Sequence, residues 1–291
     1  LKVGAIERIF YELYLSWRFV KGDLSATIVP TTLFTIAAWH SQAGSFQELV
    51  AALGWGLLYF WLYVFTFCLS NQLEGIDEDR LNKPSRPLVT GLVSPYGAFV
   101  RWAFLMPVFT LLGWWLGVVE WTVLWQAALV LHNFCGWAKH WFGKHLLMGV
   151  GIVAGLAPAW ELVAPLTPSA WRWIVFLASI ILPLIAAQDL RDIAGDRANG
   201  RKTFPIVFGE VPTRVMLSVS FALLPLAVHW MLLAPAISIW SMIVCNLVLT
   251  SLSLWIATRI MLCRSCQADH RSYTLFTYWY CCVMLSAIVI L

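Results

Sequence analysis

The chain has 291 residues, of which 60% are hydrophobic and only 12% charged, with a mean hydropathy of +0.77. A water-soluble domain carries about 25% charged residues, so an ordinary soluble globule is excluded: no core of this size hides so much apolar surface, whereas lipid does. The net charge of +4 is too small to suggest nucleic acid as a partner.

A transmembrane helix needs about 20 mostly apolar residues. Such runs follow one another near 24–40, 48–70, 96–117, 121–137, 146–164, 171–188, 213–233, 236–258 and 273–291. They predict nine spans and an all-α, polytopic membrane bundle. Nothing between them is long enough to fold alone, so residues 1–291 are expected to form one membrane domain. The chain opens on Leu1, so a short leader is expected ahead of it, and no segment reads as a cleavable signal peptide.

The second and sixth predicted spans each end in acid. Glu74, Asp77, Glu78 and Asp79 follow the second; Asp189, Asp192 and Asp196 follow the sixth, so seven of the fifteen acidic residues fall in two short stretches. The i, i+3, i+7 spacing of Asp189, Asp192 and Asp196 sets three carboxylates on one helical face. Like charges so placed need a cation, and hard oxygen donors suit Mg²⁺, which is usually held by one or two carboxylates together with substrate phosphates. Lys83 and Arg86 follow the first cluster, Arg201 and Lys202 the second. Acid with base is the chemistry of a metal-bridged diphosphate.

The basic residues also test the span count. With nine spans and a cytoplasmic N-terminus, all of the 19 Lys and Arg residues except Arg172 fall on the inner side or at its edge. That is the bias expected of a membrane protein, and it puts both acidic clusters on the cytoplasmic face.

The segments N-Q-L-E-G-I-D-E-D-R-L-N-K-P-S-R-P-L-V-T-G (71–91) and D-L-R-D-I-A-G-D-R-A-N-G-R-K-T-F-P-I-V-F-G (189–209) resemble the two signatures of the UbiA superfamily of intramembrane prenyltransferases. The resemblance covers the whole chain. It implies a helical bundle around a central cavity, a prenyl diphosphate held through Mg²⁺ at the cytoplasmic mouth, and the isoprenoid tail in the apolar interior. It assigns Asp189, Asp192 and Asp196 to metal and Lys202 to the diphosphate, to which the spacing above already adds Lys83, Arg86 and Arg201.

The first signature departs from the N-D-x-x-D-x-x-x-D pattern: its three aspartates map onto Gln72, Gly75 and Asp79, leaving Asn71, Glu78 and Asp79 as oxygen donors. This altered form resembles the fungal branch that includes membrane-bound terpene cyclases. The expected activity is therefore cyclisation of farnesyl or geranylgeranyl diphosphate, with prenyl transfer to an acceptor as the alternative. The expected location is the endoplasmic reticulum, with lipid and the prenyl diphosphate as partners and no obligate protein partner.

Four further features carry expectations. Among 18 Trp, 17 Phe and 8 Tyr, the rings expected to face a carbocation are drawn from Trp39, Trp55, Phe60, Trp61, Phe65, Tyr278 and Trp279. Lys21 either reaches the diphosphate with Asp23 or snorkels to the interface. His132, Asn133, Lys139, His140, Lys144 and His145 are spaced irregularly and read as interfacial polar residues. Cys263-x-x-Cys266 lacks the second ligand pair that a zinc site needs.

Overall fold

Serine and threonine caps open most of the long helices. In the computed structural model, which describes residues 4–291, Ser45 Oγ accepts from the Glu48 amide and the Glu48 carboxylate accepts from the Ser45 amide, a reciprocal cap that starts α3 (Phe46–Glu74). Ser94 and Thr167 cap α5 (Pro95–Trp115) and α8 (Pro168–Leu184) by accepting from the Gly97 and Ala170 amides, with proline at the first position, where its missing N–H costs nothing. Ser238 and Ser265 cap α12 (Ile239–Leu262) and α13 (Cys266–Ile290).

The other helices are α1 (Ala5–Val20), α2 (Ile28–Ser41), α4 (Ile76–Asn82), α6 (Val119–Asn133), α7 (Trp141–Glu161), α9 (Ala186–Ala198), α10 (Phe204–Phe208) and α11 (Glu210–Val228), the last continued by a wider π turn over His229–Leu233. No strand is present among the described residues, only an isolated bridge between His140 and Lys202. Neighbours in the order α2, α3, α5, α6, α7, α8, α11, α12, α13 and back to α2 close a ring. The short helices α4 and α9 pack on one another at one end of it.

Each of the nine predicted runs coincides with a helix, but seven of the helices among the described residues are long and apolar enough to cross a membrane. The two that fall short are α2, with 14 residues, and α6, with 15. At 1.5 Å per residue such a helix covers about 21–23 Å of a hydrocarbon layer about 30 Å thick. α2 starts late because residues 21–27 turn instead of coiling. α6 stops at Asn133 because the chain reverses through Gly136, whose φ of 76° is one that side chains with a Cβ resist. Lys2, counted above among the inner-side charges, lies outside the described residues.

At the same end as α4 and α9, Arg214 of α11 donates to both oxygens of Asp269 on α13, at 2.8 and 2.7 Å, and to the Ile260 carbonyl of α12 at 2.9 Å. Arg214 and Asp269 are both buried; Arg214 also pairs with Glu210 at 2.9 Å, so it is Asp269 that would be left without a basic partner if the pair were broken.

Candidate active site

Counting back from Asn71 by four residues along α3 reaches Phe67 and then Tyr63, one face of the helix. That face opens on a cavity of about 190 Å³ enclosed by the ring of helices. Its mouth is charged: Asn71, Glu78, Asp79, Lys83, Arg86, Lys144, Asp192 and Arg201 all line it, with Asp23. Its interior is apolar and aromatic, walled by Tyr63, Phe67, Trp125, Phe276, Trp279 and Tyr280.

Two short helices bring the signatures together. The Asn82 side chain, at the end of α4, donates to the Asp192 carbonyl and accepts from the Gly195 amide, both at 3.2 Å, so it docks on the backbone of α9. A Cβ at Gly195 would come within 2.3 Å of that amide, which is why the close approach needs glycine. After α9 the chain turns through Gly200 at a φ of 64°, and the turn directs Arg201 back towards both signatures. Arg201 lies 2.7 Å from Glu78 and 3.3 Å from Asp196.

Every acid at the mouth has a basic or thiol neighbour. Arg86 is 2.6 Å from Asp79, and Lys83 is 3.5 Å from Asp192, which Arg191 also grips with two donors at 3.0 and 3.2 Å. Asp23 accepts from the Cys68 thiol at 3.4 Å. Burial shifts these groups. It raises the Glu78 carboxyl above its ordinary range, with Arg201 opposing. It lowers Lys83, helped by the neighbouring Arg86 and opposed by Asp192. Burial also opposes the charge of Arg86, but Asp79 more than offsets it and the net shift is upward.

The donor set fits Mg²⁺. Among the described residues no three His, Cys, Asp or Glu side chains converge into a complete cage, so an ion bound here would take its remaining ligands from substrate phosphate and water. Asp196 Oδ2 is buried without a hydrogen-bond partner, an expensive condition that a cation relieves.

Several sequence expectations change. Lys21 and Lys202 are exposed and do not line the cavity; the main chain of Lys202, not its side chain, is engaged, pairing with Lys139 and Trp141. Asp189 is fully buried behind the mouth, where it accepts from Lys144 Nζ at 2.5 Å, contacts His145 Nε2 at 3.3 Å and accepts from the Phe204 amide at 3.4 Å. His132, Asn133, Lys144 and His145 are buried, not interfacial: the first turn of α7 sets Lys144 and His145 against Asp189 of α9, and the last turn of α6 sets Asn133 against Ser70 of α3; Lys139 and His140 are exposed. Of the candidate rings only Trp279 lines the cavity, while Trp55 and Tyr278 are 43% and 52% exposed. α3 is apolar on every face, so its ring pattern alone has no phase; the four-residue steps back from Asn71 would have supplied it.

With this geometry described, the relatives are informative. The model of the UbiA prenyltransferase family matches residues 28–281. The chain is 47% identical over 272 residues to the somaliensene A/B synthase of Streptomyces somaliensis, covering 94% of this chain and 91% of that one. It is 34% identical over 280 residues to the diterpene cyclase eriG of Hericium erinaceus, covering 92% and 84%. A solved UbiA homolog from Archaeoglobus fulgidus, bound to DMAPP and Mg²⁺, superposes with a TM-score of 0.65 over 95% of this chain and 99% of that one. At 14% identity that likeness speaks for the fold alone. The helical ring, the paired signatures and these matches make one conclusion: the chain belongs to the UbiA prenyltransferase family.

Proposed function

We propose that this protein is a Mg²⁺-dependent, membrane-embedded class I terpene cyclase that ionises a prenyl diphosphate and closes the resulting carbocation into a ring. The observation that carries the reading is a cavity that joins a mouth of paired acids and bases to a largely apolar, aromatic interior. The identity to a terpene synthase and the loss of two acids from the first signature favour cyclisation over transfer.

In this reading Asp192, Asp79, Glu78, Asn71 and Asp196 hold the metal. Mg²⁺ would neutralise the diphosphate charge that develops as the allylic C–O bond breaks. Lys83, Arg86, Lys144 and Arg201 receive the remaining phosphate oxygens. Before substrate arrives their charges are balanced by the neighbouring carboxylates, so no ion is buried alone. Burial lowers the Lys83 ammonium, and an anion bound beside it would shift it back upward. Asp189 acts through Lys144, which it orients, more than as a metal ligand. The rings of Tyr63, Phe67, Trp125, Phe276 and Trp279 offer negative faces to the cation, and the apolar wall keeps water from quenching it.

The decisive experiment is incubation of the purified protein in detergent with farnesyl and geranylgeranyl diphosphate and Mg²⁺, without an acceptor. A cyclic hydrocarbon or terpene alcohol is expected in the organic extract, and recovery of unchanged substrate would favour the transferase. EDTA should abolish diphosphate release and added Mg²⁺ restore it; full activity in EDTA would sink the metal assignment.

The protein is an integral membrane enzyme, and we place its mouth on the cytoplasmic side from the distribution of basic residues. Single cysteines introduced at the exposed Ser85 and Asn199, in a background without reactive thiols, should label from that same side. Labelling from opposite sides would refute the arrangement.

A further inference from the structure

One imidazole of the cavity wall is not used by the diphosphate chemistry. His132 is buried at the last turn of α6, it lines the cavity, and its Nε2 has no hydrogen-bond partner. Its protonation pattern follows from counting donors. Ser70 Oγ gives its own hydrogen to the Thr66 and Phe67 carbonyls, at 3.1 Å each, so towards Asn133 it accepts. Asn133 Nδ2 is therefore the donor in its 2.7 Å contact with Ser70 Oγ. That fixes the amide, and Asn133 Oδ1 must be the acceptor in its 2.8 Å contact with His132 Nδ1. The hydrogen of the neutral ring is then on Nδ1, and Nε2 is left as a lone pair.

Asn133 Oδ1 also accepts from Asn71 Nδ2 at 3.3 Å, which ties the ring's support to the first signature without touching the imidazole itself. The carboxylates that line the cavity are engaged with Arg, Lys or a thiol. Among the described residues of the wall, His132 is the one imidazole. Its ring lies beside Phe67, with centroids 5.6 Å apart, between the charged mouth and the aromatic interior.

We propose that His132 Nε2 is the proton acceptor that ends the reaction. This rests on the cyclase reading above with an olefin as product, whose final carbocation loses a proton to a base; a parent enzyme that makes only a cyclic alcohol would overturn the proposal. In the step, a C–H bond next to the cationic carbon breaks, its electron pair becomes the new C=C bond, and the proton goes to Nε2. The imidazolium so formed is held by the Nδ1–H donated to Asn133 and is discharged to the released diphosphate. Asn133 is thus a positioning residue, and Ser70 orients Asn133.

The test uses the full-length protein in detergent, measuring diphosphate release and the organic products in the same reaction. His132→Asn keeps a donor near the Nδ1 position but removes the lone pair; His132→Gln places a non-basic amide near Nε2. Both should release diphosphate at a rate within about threefold of the parent, which shows a folded, ionising enzyme. The share of the main cyclic olefin should fall at least about tenfold, in keeping with the loss of a general base, with isomeric olefins and water-captured alcohols in its place. An unchanged product ratio overturns the proposal, whether total turnover is retained or falls, since a structural role lowers all products together. If the parent makes no cyclic product and prenylates an acceptor instead, the cyclase reading fails by itself. His132 is then judged on prenylation: retained diphosphate release with at least about tenfold less prenylated acceptor supports it, and parallel loss of both overturns it.

Discussion

Alanine in place of Asp79 or Asp192 is expected to lower turnover by about 10²-fold or more, as for removal of a group that stabilises developing charge. Alanine in place of Glu74 or Asp77 should leave turnover within about twofold, the usual range for surface changes. The four acids are close in sequence, yet their surroundings differ. Asp79 is 2% exposed and tied to Arg86, and Asp192 is 5% exposed and gripped by Lys83 and Arg191. Asp77 pairs with Arg80 in the open, and Glu74 is exposed outside the main cavity wall. Removing Asp79 strips Arg86 of its partner as well as a metal donor. Steady-state diphosphate release, measured on folded protein of each variant, checks the series. Parent-like Asp79→Ala beside an inactive Glu74→Ala or Asp77→Ala would mean that the acids of the first signature have moved within it.

Loss of Lys144 should be felt in stability as well as rate. Lys144 and Asp189 are 7% and 0% exposed, and the ion pair bridges α7 and α9 directly behind the mouth. Lys144→Met leaves a buried carboxylate with only His145 and one amide, an arrangement expected to cost about 3–5 kcal/mol. The apparent unfolding temperature in detergent should fall accordingly. Lys144→Met combined with Asp189→Leu removes the orphaned charge and should recover most of that stability, but not turnover, because Lys144 itself lines the cavity. Recovery of both would show the pair to be structural only. An unfolding temperature unchanged by Lys144→Met would contradict the burial of the pair.

How far the sequence reaches is clear from individual residues. The two signatures predicted the acids and the bases Lys83, Arg86 and Arg201, because a motif fixes spacing and each segment contains a short helix, α4 or α9, that packs on the other. Lys144 escaped, since a lone basic residue before an apolar run looks like a topology charge until α7 is packed on α9. Lys21 and Lys202 misled for the opposite reason: both stand beside site residues in sequence, yet neither side chain turns inward. Nine apolar runs predicted where the helices lie but not their lengths, because α2 and α6 are shortened by a turn and by a left-handed glycine. The lining rings could not be chosen from composition. Helices apolar on all faces give no moment to orient them, and only the polar residue at one end, Asn71, sets the angle.

The contact between Asn82 and Gly195 has a consequence for how such proteins diverge. One side chain supplies a donor and an acceptor to the opposite half of the molecule, and the other position must lack a Cβ to admit it. The two positions are 113 residues apart in the chain but form a single bolt. A hybrid that takes residues 71–91 from one parent and 189–209 from another keeps its jaws in register only where both halves of that bolt are inherited together. The aromatic wall carries ties of its own, from the Tyr63 hydroxyl to the Gly151 carbonyl and from the Trp125 indole to the Tyr63 carbonyl, so its rings too must be exchanged as sets and not one at a time.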